Sequence, residues 1–189
     1  MAKKLTVVAL ATTVTGCISY NTPGDFLFRS AQVVTWGEQR ELPAPYPNSD
    51  LSLDRQLLKI EFTSAEDFGD YLAENSYPAS VAAYFCERPD YPVFLSRSSI
   101  FWDGQDIGAL SHSSTKQPMA AGQYTYHTYI DIAGKEGLSS DRPRFRAFDL
   151  RRQTDDVCLS LRGGSGISGY QSNVVKIPKE ELRRALGLQ

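Results

Sequence analysis

The feature that most narrows the fold of this chain is an alternation of apolar and polar side chains with a period of two. Leu58, Ile60 and Phe62 alternate with Lys59 and Glu61. Further on, Tyr124, Tyr126, Thr128, Ile130 and Ile132 take one side while Thr125, His127, Tyr129 and Asp131 take the other. Successive strand side chains point to opposite faces, so this period predicts half-buried strands rather than helices. Residues 81–87, 93–102, 145–150, 157–161 and 174–177 read as further short strands, and Asp103-Gly104 marks a tight hairpin turn. Residues 26–28 and 32–36 each read as a short strand, before Pro43, Pro45 and Pro47 impose an extended, unpaired segment.

Two short helices interrupt this pattern. Ser64-Ala65-Glu66-Asp67 opens one that runs to Leu72, weakened by Gly69. Pro178 opens the other, where its missing N–H costs nothing. Glu180 and Glu181 in its first turn and Arg183 and Arg184 near its end suit the helix dipole, and Leu182, Ala185 and Leu186 form its apolar side. Many short strands, turn signals between them and one closing helix predict a mainly β, antiparallel sandwich-like domain with a short C-terminal helix. The expected organisation is residues 1–16 as a signal peptide, 17–54 as tether or N-terminal strands, and 55–189 as the β-rich domain.

The leader fixes the compartment. Lys3 and Lys4 give a positive start, residues 5–14 are a short uncharged apolar run, and small residues precede Cys17. A membrane-spanning helix needs about 20 apolar residues, so this run is too short to span stably. Val14-Thr15-Gly16-Cys17 resembles the bacterial lipobox, which implies cleavage before Cys17, diacylglycerol on its thiol and an N-acyl chain such as palmitate. Buried acyl chains contribute about 0.8 kcal/mol per methylene, and more than one chain makes attachment stable. Ile18 at the second mature position matches the pattern of outer-membrane sorting, so the expected location is the periplasmic face of the envelope, the outer membrane ahead of the inner.

With the leader removed, loss of Lys3 and Lys4 takes the formal balance from −2 to −4. A mildly acidic chain argues against nucleic acid as a partner and against adhesion to anionic lipid. Two cysteines remain, Cys86 and Cys158. An oxidising compartment favours a disulfide between them, worth about 4 kcal/mol in the chain-entropy picture, with two buried thiols as the alternative. His112 and His127 lie at no ligand spacing from a cysteine, so neither a metal nor another cofactor is expected.

Three motifs invite chemistry. Gly164-x-Gly166-x-x-Gly169 matches a dinucleotide fingerprint as a string, but that motif needs a following helix, and residues 170–177 read as strand. A bulged or flexible β connection is the better reading, and no nucleotide is expected. Ser165 and Ser168 lack the flanking glycines of a hydrolase elbow, and a serine nucleophile needs a base from His112 or His127. Arg142, Arg144 and Arg146 alternate with Pro143, Phe145 and Ala147, placing three guanidinium groups on one strand face. A solvated face neutralised by Asp141, Asp149, Asp155 and Asp156 is the plainer reading; docking of an acidic protein is the sharper one.

The back of the chain carries a resemblance. Phe148-Asp149-Leu150, then Asp156-Val157-Cys158-Leu159-Ser160-Leu161-x-Gly163-Gly164, then Ser172-Asn173-Val174-Val175-x-Ile177-Pro178 and a closing helix resemble small periplasmic lipoproteins identified as type VI secretion immunity proteins. The resemblance implies a non-enzymatic inhibitor that binds and blocks a cognate toxin. It brings no binding residues with it. The candidate contacts are the connections at residues 107–123, with His112 and Lys116, and 134–141, together with Arg142, Arg144 and Arg146. A structural or assembly lipoprotein of an envelope complex is the alternative, and a hydrolase the more distant one.

Overall fold

The alternation produces two five-stranded antiparallel sheets, with a separate two-stranded pair beside them in the described residues. The computed structural model describes residues 25–43, 52–75, 79–93, 99–108, 122–134, 148–153, 155–165 and 168–188. In chain order the strands are β1 (Leu27–Thr35), β2 (Gln56–Ser64), β3 (Ala79–Phe85), β4 (Arg88–Val93), β5 (Phe101–Trp102), β6 (Gln105–Asp106), β7 (Tyr124–Asp131), β8 (Ala133–Gly134), β9 (Phe148–Asp149), β10 (Val157–Ser165), β11 (Ser168–Gln171) and β12 (Val175–Ile177). Helix α1 (Phe68–Asn75) follows β2, and α2 (Lys179–Ala185) closes the chain. The first sheet has the order β1-β2-β7-β5-β6 and the second β11-β10-β3-β4, with β12 also on β10. The protein is thus mainly β, with a short C-terminal helix.

The inner faces meet in one core. Leu58, Ile60 and Phe62 of β2 lie opposite Ile130, Thr128 and Tyr126 of β7. They pack against Val81, Ala83 and Phe85 of β3 and Val157, Leu159 and Leu161 of β10. At one end Phe26, Phe62, Phe68, Tyr126 and Tyr170 make edge and stacked ring contacts 5.3–6.3 Å between centroids, each contributing about 0.5–1.5 kcal/mol beyond its buried area. The Tyr126 hydroxyl accepts the Phe68 N–H at 2.8 Å and so satisfies the buried start of α1.

Local chemistry moves several expected boundaries. The readings at 26–28 and 32–36 are one strand, β1, because the register shifts between Phe28 and Ser30. That bulge at Arg29 puts Phe28, Ala31 and Val33 opposite the inward residues Phe62, Ile60 and Leu58. The first helix starts at Phe68, not Ser64, since Asp67 Oδ1 accepts the N–H groups of Gly69 and Asp70 at 3.0 and 3.2 Å. Pro178 is the cap of α2 rather than its first residue. The expected strand over 93–102 is two strands, β4 ending at Val93 and β5 starting at Phe101. Asp103 and Gly104 take φ of 44° and 75°, the left-handed pair that closes the β5–β6 hairpin. The described part of the glycine-rich stretch is ladder: Gly163 and Gly164 pair with Tyr170 and Gly169 of β11.

Cys86, in the turn after β3, and Cys158, on β10, form a disulfide with Cα atoms 5.1 Å apart. It staples the end of a ladder in which Val157 already faces Phe85. The sheets also have two distinct ends. Leu27, Thr63 and Tyr124 mark one, near the first described residue; Thr35, Gln56 and Asp131 mark the other.

Candidate functional site

The candidate site lies on the outer face of the first sheet, where the alternation puts Thr125, His127, Tyr129 and Asp131. His127, named from sequence as a possible base, lies among tyrosines there. Thr125 is exposed, but the structure buries the rest of this face along β7: every residue from Tyr126 to Asp131 is buried. The cover comes from the chain that leaves β1. Trp36–Glu38 forms a single 3-10 turn, held by Trp36 N–H donating to Arg55 O and Gly37 N–H to Leu53 O, both at 2.8 Å. The strap continues through Gln39 to Pro43, with the Trp36 indole N–H donating to Pro43 O at 3.1 Å. Trp36 and Leu42 from the strap, Leu57 from β2, Phe101 from β5 and Tyr129 from β7 then form a second apolar cluster.

A polar constellation sits within it. One oxygen of Glu41, Oε1, accepts from His127 Nε2 at 3.0 Å and from the Tyr129 hydroxyl. Gln39 Oε1 lies 3.2 Å from the same hydroxyl. The His127 ring stacks on Phe101 at 5.5 Å and 17°, and meets the Tyr129 ring edge-on at 5.5 Å and 87°. Beside it, Arg55 pairs with buried Asp131 at 2.7 Å and Ser30 donates to Glu61 at 2.8 Å.

Ionisation follows from this packing. Burial lowers His127 from its ordinary 6.5, the Lys59 charge adds to that, and Glu41 and Glu61 only partly oppose it. Burial by itself raises Glu41, but hydrogen bonds from Tyr129, its own backbone and His127 outweigh it and hold the carboxyl below 4.5. Burial, and then Glu41, push the Tyr129 phenol far above its usual range. At neutral pH the contact is therefore a carboxylate accepting from a neutral imidazole and a neutral phenol, not an ion pair. With Nε2 donating, Nδ1 is left as the acceptor. An oriented imidazole of this kind is one half of a general-base arrangement. Ser165, the expected nucleophile partner, pairs with Ser168 at the end of β10 in the other sheet. His127 stands on the face turned away from that sheet, so the two are not brought together.

Other expected site residues divide cleanly. Cys86 and Cys158 are joined. The leader, Cys17, His112, Lys116, Arg142, Arg144 and Arg146 lie outside the described residues. The roots of their connections are described. Residues 109–121 run between Gly108, whose carbonyl accepts Ala79 N–H, and Gly122 just before β7. Residues 135–147 run between Gly134 and Phe148, which face each other in the β8–β9 pair. At Gly134 an added Cβ would stand 2.4 Å from the Phe148 ring, so glycine is what lets these roots close.

The acids expected to neutralise the arginine face have other partners. Asp149 pairs with Arg152 at 3.6 Å and accepts the Arg151 N–H. Asp155 pairs with Arg88. Asp156 takes Lys176 at 2.6 Å and the Lys179 N–H at 2.8 Å. The Lys176 ammonium and the Lys179 N–H outweigh burial and keep the Asp156 carboxyl low. Sequence reasoning missed Glu41, Gln39 and the strap altogether. The signal available was a strand with Tyr, His and Asp on its supposedly polar face, which is too aromatic to be solvated.

No protein-family model, no curated protein and no solved structure matches this chain.

Proposed function

We propose that this chain is a lipid-anchored periplasmic lipoprotein that neutralises a secreted toxin by direct binding. Its anchor is Cys17, and its recognition surface is the connection rooted at β8–β9 that carries Arg142, Arg144 and Arg146. One observation supports this reading above the others: Asp149, Asp155 and Asp156 are engaged by Arg152, Arg88, Lys176 and Lys179. Three of the four acids that would have made the arginine face a self-neutralised one are thus committed elsewhere. Guanidinium groups in a row suit bidentate pairing with carboxylates, so the partner's contact surface is acidic. The β8–β9 pair holds the roots of such a connection together, and inhibition by occupation needs no catalytic group.

The test is co-production with the product of the adjacent reading frame, directed to the periplasm. Survival only when this protein is present, with a stable complex between the two, is the expected result. Charge reversal at Arg142, Arg144 and Arg146 is expected to abolish protection while the fold is retained. Absence of both protection and complex sinks the reading. Loss of envelope integrity on deletion would then favour an assembly lipoprotein instead.

A further inference from the structure

We infer that the anchored domain is oriented: the sheet end bearing Leu27 and Val174 rests against the phospholipid surface, and the end bearing Arg55, Arg151 and Arg152 points away from it. The inference rests on the proposed acylation of Cys17.

The argument begins where the described chain begins. The Phe26 N–H donates to Asn173 Oδ1 at 2.9 Å, and Asn173 Nδ2 donates back to Phe26 O at 2.7 Å. This double clasp fixes the entry point of the chain at one end of the first sheet, beside buried Phe26. Only residues 18–24 separate Cys17 from Asp25. Nine residue steps separate Cys17 from Phe26, a length whose random-coil end-to-end distance is about 15–18 Å. Fully extended, it reaches about 30 Å.

The other end is a strand length away. From Leu27 to Thr35, β1 covers about 26 Å at 3.3 Å per residue. To turn that end to the bilayer, the tether would have to run taut along the whole domain. Turning the near end to the bilayer needs no extension beyond the typical one. The difference is entropic, and it selects the near end.

Two of the three large exposed apolar side chains among the described residues lie at the near end, Leu27 at 56% and Val174 at 46%; Leu53, at 54%, lies at the other, beside Arg55. Leu27 and Val174 directly follow the two residues of the clasp, Phe26 and Asn173. An acyl-anchored domain brings this pair to the interface on every encounter. Three arginines mark the opposite end. Arg55 pairs with Asp131, Arg151 donates to Gln56 at 3.1 Å, and the Arg152 side chain is 87% exposed. Asp25, Arg29 and Glu66 are all exposed near the entry point, so the near end carries charges of both signs and no basic cluster to pull it onto anionic lipid. The tether and the two apolar side chains set the contact.

The experiment uses the acylated full-length protein in phosphatidylethanolamine–phosphatidylglycerol vesicles containing a headgroup-level quencher lipid. With Cys17 acylated and Cys86 bonded to Cys158, an introduced cysteine is the free thiol for a fluorophore. Leu27→Cys and Arg152→Cys are compared, with Val174→Cys as a second near-end site. Several-fold stronger quenching at positions 27 and 174 than at 152 is expected. Equal or reversed quenching on vesicles that float with the protein overturns the orientation alone. Failure to float with the vesicles overturns the anchor and the orientation together.

Discussion

Replacing Tyr129 with Phe isolates what the Glu41 constellation contributes. The ring stays, so its packing against Trp36, Leu42, Leu57 and Phe101 is retained. Only the hydroxyl goes, and with it the hydrogen bond to Glu41 and the contact with Gln39. A hydrogen bond to a charged group contributes about 1.5–3 kcal/mol. Glu41 keeps the His127 N–H, and its side chain is 12% exposed to water, so the lower part of that range applies. We expect a loss of about 1.5–2 kcal/mol, which lowers Tm by about 3–8 °C for a domain of this size. Glu41→Gln in the same background separates the pair from the general cost of change. In a double-mutant cycle the two substitutions should couple by about 1 kcal/mol or more, since they remove one shared interaction.

The assay is urea and thermal unfolding by circular dichroism, with strap release followed through the fluorescence of Trp36. Trp102 is the other tryptophan in the chain, so the measurement is made on a Trp102→Phe background. Strap release should become detectable before global unfolding, since a short covering segment with few contacts opens at lower cost than the core. A Tm within 1 °C of the parent, or strictly additive substitutions, would refute the claim that Glu41 fastens the strap.

Two further outcomes follow from named groups. Replacing Cys86 and Cys158 by Ala opens a loop with a sequence separation of 72 and should cost about 4 kcal/mol in the chain-entropy model; a loss under about 1 kcal/mol in urea melts, with reduced and oxidised parent as references, would show that the β3–β10 ladder alone restrains the unfolded chain. Stability should fall on acidification in two stages. His127 sits below its ordinary 6.5, so the unfolded chain takes up its proton first and stability drops as pH falls below that value. Glu41 also sits below its ordinary 4.5, so its contribution is complete above that value and disappears as pH falls through the folded one. His127→Gln should flatten the upper stage in urea melts at pH 7.5, 6 and 5; parallel losses in parent and variant would contradict the assignment.

The sequence is legible where one face of a strand decides its fate. Leu58, Ile60 and Phe62 announce β2 because Lys59 and Glu61 break the apolar run at the right period. β1 was harder. Its bulge at Arg29 inverts the phase, so inward positions 26 and 28 are followed by 31 and 33, and the run reads as two fragments. Of the candidate site only the strand half, with His127 and Tyr129, was legible; the strap was not. The site depends on residues 36–43 folding over β7, some 85 or more positions later in the chain: the contacts Glu41–His127, Glu41–Tyr129 and Gln39–Tyr129 span 86, 88 and 90 positions. Local periodicity carries no information about contacts of that separation.

The fold also separates two surfaces that sequence reasoning grouped together. Gly122 and Gly134 stand beyond opposite ends of β7, which at 3.3 Å per residue spans about 23 Å. The connection carrying His112 and Lys116 returns at the end where the chain enters from Cys17. The connection carrying Arg142, Arg144 and Arg146 is rooted at the other. A standard interface buries about 800 Å² on each partner, a patch no more than roughly 30 Å across. One compact partner therefore engages one root fully and reaches the other only at its rim. If the anchor holds the first end to the bilayer, that end is occluded, and the arginine end is the one an arriving acidic protein meets. Substitutions at His112 and Lys116 should accordingly leave complex formation within about twofold of the parent, since rim contacts contribute little, whereas those in the arginine row should abolish it. The reverse outcome in a binding titration would reject this division of the surface and the orientation on which it rests.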